Sequence, residues 1–266
     1  VLVEGGKMRR LSKFIITFAL FCPAMFAQKS SPLSDAELAK VSARGRMIAE
    51  YDTASWHATD AVMALKPSEG AASRYIARKT AAGWVVVFGR YSESKDAFLI
   101  VYEATQGEKP DQFTVKTYDP PEKETGFFYA AANGIETALR NTKLQDRPYN
   151  TYVLPLDSGQ MYVYILPAQT VANIYPLGGD VRYLISASGT EIVETRVLHK
   201  SIQEVANPGA DGKTPEAHFH THVVSDVPED SDVFHVLRQN PPVPEYIITN
   251  KGLCVVQKDG TITPKR

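Results

Sequence analysis

Ser73-Arg-Tyr-Ile-Ala-Arg-Lys-Thr80, Ala81-Ala-Gly83 and Trp84-Val-Val-Val-Phe-Gly-Arg-Tyr91 decide how the first half of the chain reads. Two runs rich in β-branched and aromatic residues flank a short turn that ends in glycine, the pattern of a β-hairpin. Downstream, Ala97–Ala104 and Gln112–Tyr118 read as further strands, with turns at Ser92–Asp96 and Gln106–Pro110. Trp84–Phe88 and Phe98–Tyr102 are continuous apolar runs, which marks them as core strands. Upstream, Ser34-Asp-Ala-Glu37 has capping-box spacing. Leu38, Val41, Met47, Ile48, Tyr51, Trp56, Val62 and Leu65 then continue an apolar helical face. One long helix, or two parted near Gly45 or Ser55, is expected to end before Pro67 and to pack on an antiparallel meander.

Asp119-Pro-Pro-Glu-Lys-Glu-Thr125 is rich in proline and charge, and is the expected boundary between a domain at 28–120 and another at 125–266. The second domain opens with a helix over Phe127–Lys143. A hairpin follows, Thr151–Leu156 and Gln160–Leu166 about the turn Asp157-Ser-Gly159, and then Val181–Ala187 and Thr190–His199 about Ser188-Gly189. Beyond a loop at Asn207–Thr214, the strand Glu216–Val224, the short helix Glu229–Leu237 and the strands Glu245–Asn250 and Leu253–Lys258 complete the reading. The fold class is α+β, the second domain carrying a mixed or antiparallel sheet.

Across 266 residues Lys+Arg is 29 and Asp+Glu 30. Residues 9–27 carry the features of a removable export signal. A basic Met8-Arg-Arg-Leu-Ser-Lys segment precedes the apolar Phe14–Phe21 and a short stretch ending in Ala27. The apolar run spans about 12 Å as a helix, too short for a hydrocarbon core of roughly 30 Å. Without the leader, Gln28–Arg266 keeps 25 basic and 29 acidic residues, a net charge of −4. That balance excludes the blanket electrostatics of a nucleic-acid binder. The general secretory route to a periplasmic or extracellular location is expected. Glu4-Gly5-Gly6-Lys7 reads like a translated purine-rich ribosome-binding site, which makes Met8 the expected start, in a bacterium. Cys22 leaves with the signal, and Cys254 in Leu253-Cys-Val-Val256 reads as a small buried residue.

Four of the six histidines lie within residues 218–235. His218-Phe-His220-Thr-His222 alternates with period two, so a strand would carry three imidazoles on one face and turn Phe219 and Val223 toward a core. Asp226, Glu229, Asp230 and Asp232 follow, and Pro228 sets Asp232 in the opening turn of the next helix. His220, His222 and Asp232 are thus candidate metal ligands and zinc the candidate ion, three protein ligands being typical of an open catalytic site. The same pattern also occurs on solvated strand faces, where helix-start carboxylates serve only the dipole. His199 and His235 read as ordinary polar or satisfied buried residues, and His57 as packing or surface. Tyr149, Tyr152, Tyr162, Tyr164, Tyr175 and Tyr183 read as sheet packing or as an aromatic face for sugar or peptide.

His220-Thr-His222, Pro228 and Asp232, then a short helix and Pro244-Glu-Tyr-Ile-Ile-Thr249, resemble the JAB/MPN (JAMM) metalloprotease-like domains over at most residues 125–266. The resemblance implies a zinc held by His220, His222 and Asp232, with an upstream glutamate as general base. The chain departs from the family at several points. Val223 stands in place of a proline, Glu229 in place of a serine, and the spacing from His222 to Asp232 is slightly short. Arg147-Pro-Tyr-Asn150 has no glutamate where the base is expected, and spacing does not select Glu191, Glu194 or Glu204 as a substitute. Two functions follow. One is a non-catalytic envelope protein that binds a protein, peptide or cell-wall component on a degenerate JAMM-like fold. The other is a zinc-dependent peptidase or isopeptidase.

Overall fold

A computed structural model of the chain describes residues 34–209 and 212–265. The export signal and the start at Met8 lie outside the described residues. Among those described, no helix is long and apolar enough to cross a membrane.

The expected long helix is unbroken: α1 runs Asp35–Met63. Ser34 caps it, its Oγ accepting from the Glu37 N–H while the Glu37 carboxylate accepts from the Ser34 N–H. Such a reciprocal cap contributes about 1 kcal/mol. Leu38, Val41, Gly45, Ile48, Tyr51, Ala54, Ala58 and Val62 form its buried stripe. Gly45 does not end the helix; it is a point of close approach.

The meander is a four-stranded antiparallel sheet, β1 (Arg74–Thr80), β2 (Gly83–Tyr91), β3 (Phe98–Gln106) and β4 (Phe113–Glu124), paired in sequence order. β4 runs through the proline- and charge-rich stretch expected to divide two domains. It can do so because β4 is an edge strand, where Pro120 and Pro121 break no central ladder. Opposite them the register shifts between Ile100 and Tyr102, so the strand bulges and then resumes pairing at Glu122–Glu124.

α2 (Phe127–Arg140) leads to the antiparallel sheet β5-β6-β8-β9, made of β5 (Tyr149–Pro155), β6 (Met161–Pro167), β8 (Val181–Ile185) and β9 (Ile192–Val197). β7 (Ile174–Leu177) and β10 (Gln203–Ala206) form a separate two-stranded ribbon. The last sheet is β11-β12-β13-β14: β11 (His218–Thr221), β12 (Glu245–Thr249), β13 (Gly252–Val256) and β14 (Ile262–Lys265). β11 and β12 are parallel and joined through α3 (Asp230–Arg238), so this sheet is mixed. The protein is α+β, as expected.

Three apolar cores hold these layers together, and all three draw on both sides of residues 119–125. In one, Tyr51, Ala54 and Ala58 of α1 pack with Val86 and Phe88 of β2, Tyr152 and Tyr164 of the next sheet, and Phe234 of α3. In another, Ile76, Val87 and Phe98 pack with Ile135 of α2 and Val163, Ile165 and Ile185. The third joins Leu38 and Val41 of α1 to Val233 and Val236 of α3 and to Ile247, Cys254, Val256 and Ile262. Cys254 is buried and free.

Candidate metal centre

Parallel strands need a crossover, and α3 is the crossover between β11 and β12. The C-terminal end of β11 and the first turn of α3 therefore meet at one end of the sheet, the usual place for a ligand in such a unit. His222 continues the ladder just beyond β11, its N–H donating to the Ile248 carbonyl at 2.9 Å. His220 and His222 consequently share one face, and both are buried.

Three ion-paired acids fix the opening turn of α3. Glu229 and Asp232 cap it reciprocally, the Glu229 N–H donating to Asp232 Oδ2 at 2.6 Å. Arg196 grips Glu229 through Nε and Nη2 at 3.0 and 2.6 Å. Asp230, fully buried, accepts from Arg44 Nε at 2.9 Å, Arg182 Nη1 at 2.6 Å and the Tyr164 hydroxyl at 2.8 Å. Gly45 lets α1 and α3 come this close, since a Cβ there would fall 2.4 Å from Val233 Cβ and 2.5 Å from the Asp230 carbonyl oxygen.

Asp232 meets His220 and His222, as the sequence predicts, and a third imidazole joins them from β9's end. His199 Nε2 lies 3.0 Å from His222 Nε2 and 3.0 Å from Asp232 Oδ1. His220 Nε2 lies 2.9 Å from His222 Nε2 and 3.3 Å from Asp232 Oδ1, and His222 Nε2 lies 3.2 Å from Asp232 Oδ2. One donor atom from each of the four residues falls within 4.8 Å of all the others. The cluster can hold a metal ion.

The outer ring nitrogens are all committed elsewhere. His199 Nδ1 faces Asp180 at 2.9 and 3.2 Å, His220 Nδ1 faces Glu245 Oε1 at 2.8 Å, and His222 Nδ1 faces the Val227 carbonyl at 2.8 Å. Nδ1–H donation to these acceptors directs each Nε2 lone pair inward, the arrangement that orients metal-binding histidines. Three lone pairs and a carboxylate so placed repel one another unless a cation sits among them. Asp232 Oδ1 is buried 3.0 and 3.3 Å from two imidazole nitrogens, and among the described residues no hydrogen bond reaches it. Donors about 2.0–2.1 Å from a tetrahedral ion stand roughly 3.3 Å apart, close to the spacing seen.

Protonation follows the same electrostatics. Burial opposes the charged ring of His199, but Asp180 and Asp232 prevail and hold its pKa well above 6.5. His220 is likewise disfavoured by burial and lifted to about 9 by Asp232 and Glu245. Burial works to raise the Asp232 carboxyl, yet His199 and His222 keep it well below 3.8. Without a metal, protons supply the positive charge the cluster requires, and metal and protons compete for the same nitrogens.

His218 does not join the group. It stands four residues from His222, about 13 Å along a strand, too far for both to reach one ion. Its Nε2 is buried without a partner, and His235 instead pairs through Nδ1 with Glu245 Oε2 at 2.8 Å. Phe219 and Val223 correct a second expectation: they face outward, 78 % and 75 % exposed. The alternation holds, but its sense is inverted, because α1 and α3 cover the histidine face of this sheet. Sequence reasoning read His199 as an ordinary polar or satisfied buried residue and so left it out of the cluster. The β8–β9 register pairs Val181 with Val197, which brings Asp180 and His199 together just past the ladder's end.

His199, His220 and His222 also line a cavity of about 200 Å³ with Gly178, Lys200 and Ser201. No carboxylate lines it. Glu204 is paired with Arg147 at 2.6 Å, and Glu191 and Glu194 are exposed on and beside β9. No protein-family model, curated protein or solved structure matches the chain.

Proposed function

We propose that this is an exported, zinc-holding protein whose role is binding rather than hydrolysis. The observation that carries the reading is the convergence of His199, His220, His222 and Asp232, with every Nδ1 anchored outward and Asp232 Oδ1 left without a hydrogen bond. Once metal displaces their protons, His199, His220 and His222 are nitrogen donors of the kind zinc accepts, and four protein ligands match the closed sites that stabilise folds. Held together by one ion, these residues would tie the β8–β9 hairpin, β11 and α3 into a single unit. The likeness to JAMM domains is in keeping with the convergence of His220, His222 and Asp232. His199 is an additional ligand, and Asp180 and Glu245 are engaged in holding imidazoles, so neither is free to act as a general base.

A zinc hydrolase is the second reading, favoured by the cavity onto which the three imidazoles open. One set of measurements separates the two. Purified protein should contain about one equivalent of zinc, and His220→Ala and Asp232→Ala should each lose it. Unchanged metal content in either variant overturns the metal reading. Chelation should lower the melting temperature without removing any peptidase activity; zinc-dependent cleavage of a peptide or isopeptide substrate would instead favour the hydrolase. Amino-terminal sequencing of the mature protein, expected to begin at Gln28, tests export.

A further inference from the structure

A second cavity, of about 570 Å³, lies at the other end of α3 from Asp232, between that helix and α1. Its size suits a small-molecule ligand. Its walls combine aromatic rings with uncharged polar groups that lack protein partners. Trp56 is 63 % exposed, an unusual state for an indole, and Tyr75, Tyr175 and Phe234 supply further rings. Ser55 is buried and its Oγ has no hydrogen bond. Its neighbours on α1 satisfy themselves, Thr53 Oγ1 donating to the Ala49 carbonyl and Thr59 Oγ1 to the Ser55 carbonyl. The Tyr75 hydroxyl also has no partner among the described residues, and burial pushes it up to about 12, so it is a neutral donor. The side-chain amide of Asn150 is equally uncommitted.

The charges at the cavity cancel. Arg238 Nη1 donates to Asp52 Oδ2 at 2.5 Å, and the Tyr152 hydroxyl donates to Asp52 Oδ1 at 2.8 Å. A phosphate or carboxylate ligand would find no unpaired cation among the lining residues. A purely apolar ligand would leave Ser55 Oγ and the Tyr75 hydroxyl unsatisfied, at about 1–3 kcal/mol each. What fits is a neutral molecule with an apolar face for the rings and hydroxyls along its edge. We propose that this cavity binds a neutral saccharide, a sugar ring lying against Trp56 with its hydroxyls bonded to Ser55, Tyr75 and Asn150. The inference gives the binding role of the preceding section a place and a ligand class, and none of its residues is a metal ligand.

The test is calorimetric titration of the full-length protein with cellobiose, maltose and N,N′-diacetylchitobiose. At least one should bind with a Kd of about 1 mM or tighter. Trp56→Ala and Asn150→Ala should each weaken that binding about tenfold or more, with zinc content and melting temperature unchanged. Trp56 is exposed, so its variant folds, and zinc content reports separately on the metal reading. Absence of heat with all three sugars, binding insensitive to both substitutions, or binding of free indole in their place would overturn the proposal.

Discussion

β2 and β11 are both strands packed beside a helix, yet they treat apolar residues in opposite ways. In β2, Trp84, Val86, Val87 and Phe88 are all buried, because α1 covers one face of the sheet and the α2 layer the other. In β11 the buried residue is His220, while Phe219 is exposed, as is Thr221. Apolar burial in β2 is favourable by itself, about 25 cal/mol per Å². Burial of imidazoles and a carboxylate is unfavourable unless each polar atom is satisfied. Most of those at the metal centre are satisfied by protein. Among the described residues Asp232 Oδ1 has no hydrogen-bond partner, and the cluster around it can hold a cation.

The largest expected effect tests whether the inverted region is balanced apart from that ion. Asp230→Ala would strand Arg182 and Arg44 and leave the Tyr164 hydroxyl without its acceptor. Loss of one partner from a buried ion pair costs about 3–5 kcal/mol, to be read in denaturant unfolding. A cost below about 1 kcal/mol would mean that the charges contribute little. A paired experiment then separates the two strands' regions. Ile76→Ala, in the apolar core beside β2, should cost about 2–5 kcal/mol whether or not metal is present. His222→Ala should instead abolish the difference in melting temperature between zinc-loaded and chelated protein, a difference that Ile76→Ala should preserve. Retention of that difference in His222→Ala would show that the stabilising ion binds elsewhere.

Much of this comparison was legible from residues. α1 and the meander were readable because their apolar periods are long and their caps and turns are explicit, and the short helix at Asp232 was placed to within a residue or two at either end. β4's course through Asp119–Glu124 was not, because proline at a sheet edge looks the same as proline in a linker. β7, β10 and β14 are four residues each, too short for a pattern to emerge. At the centre, His220, His222 and Asp232 followed from local spacing. His199 depends on hairpin register and on Asp180, neither of which spacing reveals. The orientation of Phe219 depends on which face the helices cover, a tertiary choice that overrode the expectation of apolar residues inside.

That orientation yields the smallest predicted effect and the sharpest check on the inversion. Phe219 pairs across the sheet with Tyr246, and Val223, Val224 and Ile248 are exposed near it. Because β11 is an edge strand with this face open, Phe219 gains little from folding and its removal should cost little. Phe219→Ser is expected to change unfolding free energy by no more than about 0.5 kcal/mol, a surface substitution in energetic terms despite the aromatic ring. Zinc content should be unchanged, since His220 on the opposite face keeps its Glu245 contact. Solubility should rise as an exposed apolar patch shrinks. A cost above about 2 kcal/mol would contradict this, because a ring contributes that much only when buried, and the apolar face of β11 would then be covered in solution by another surface.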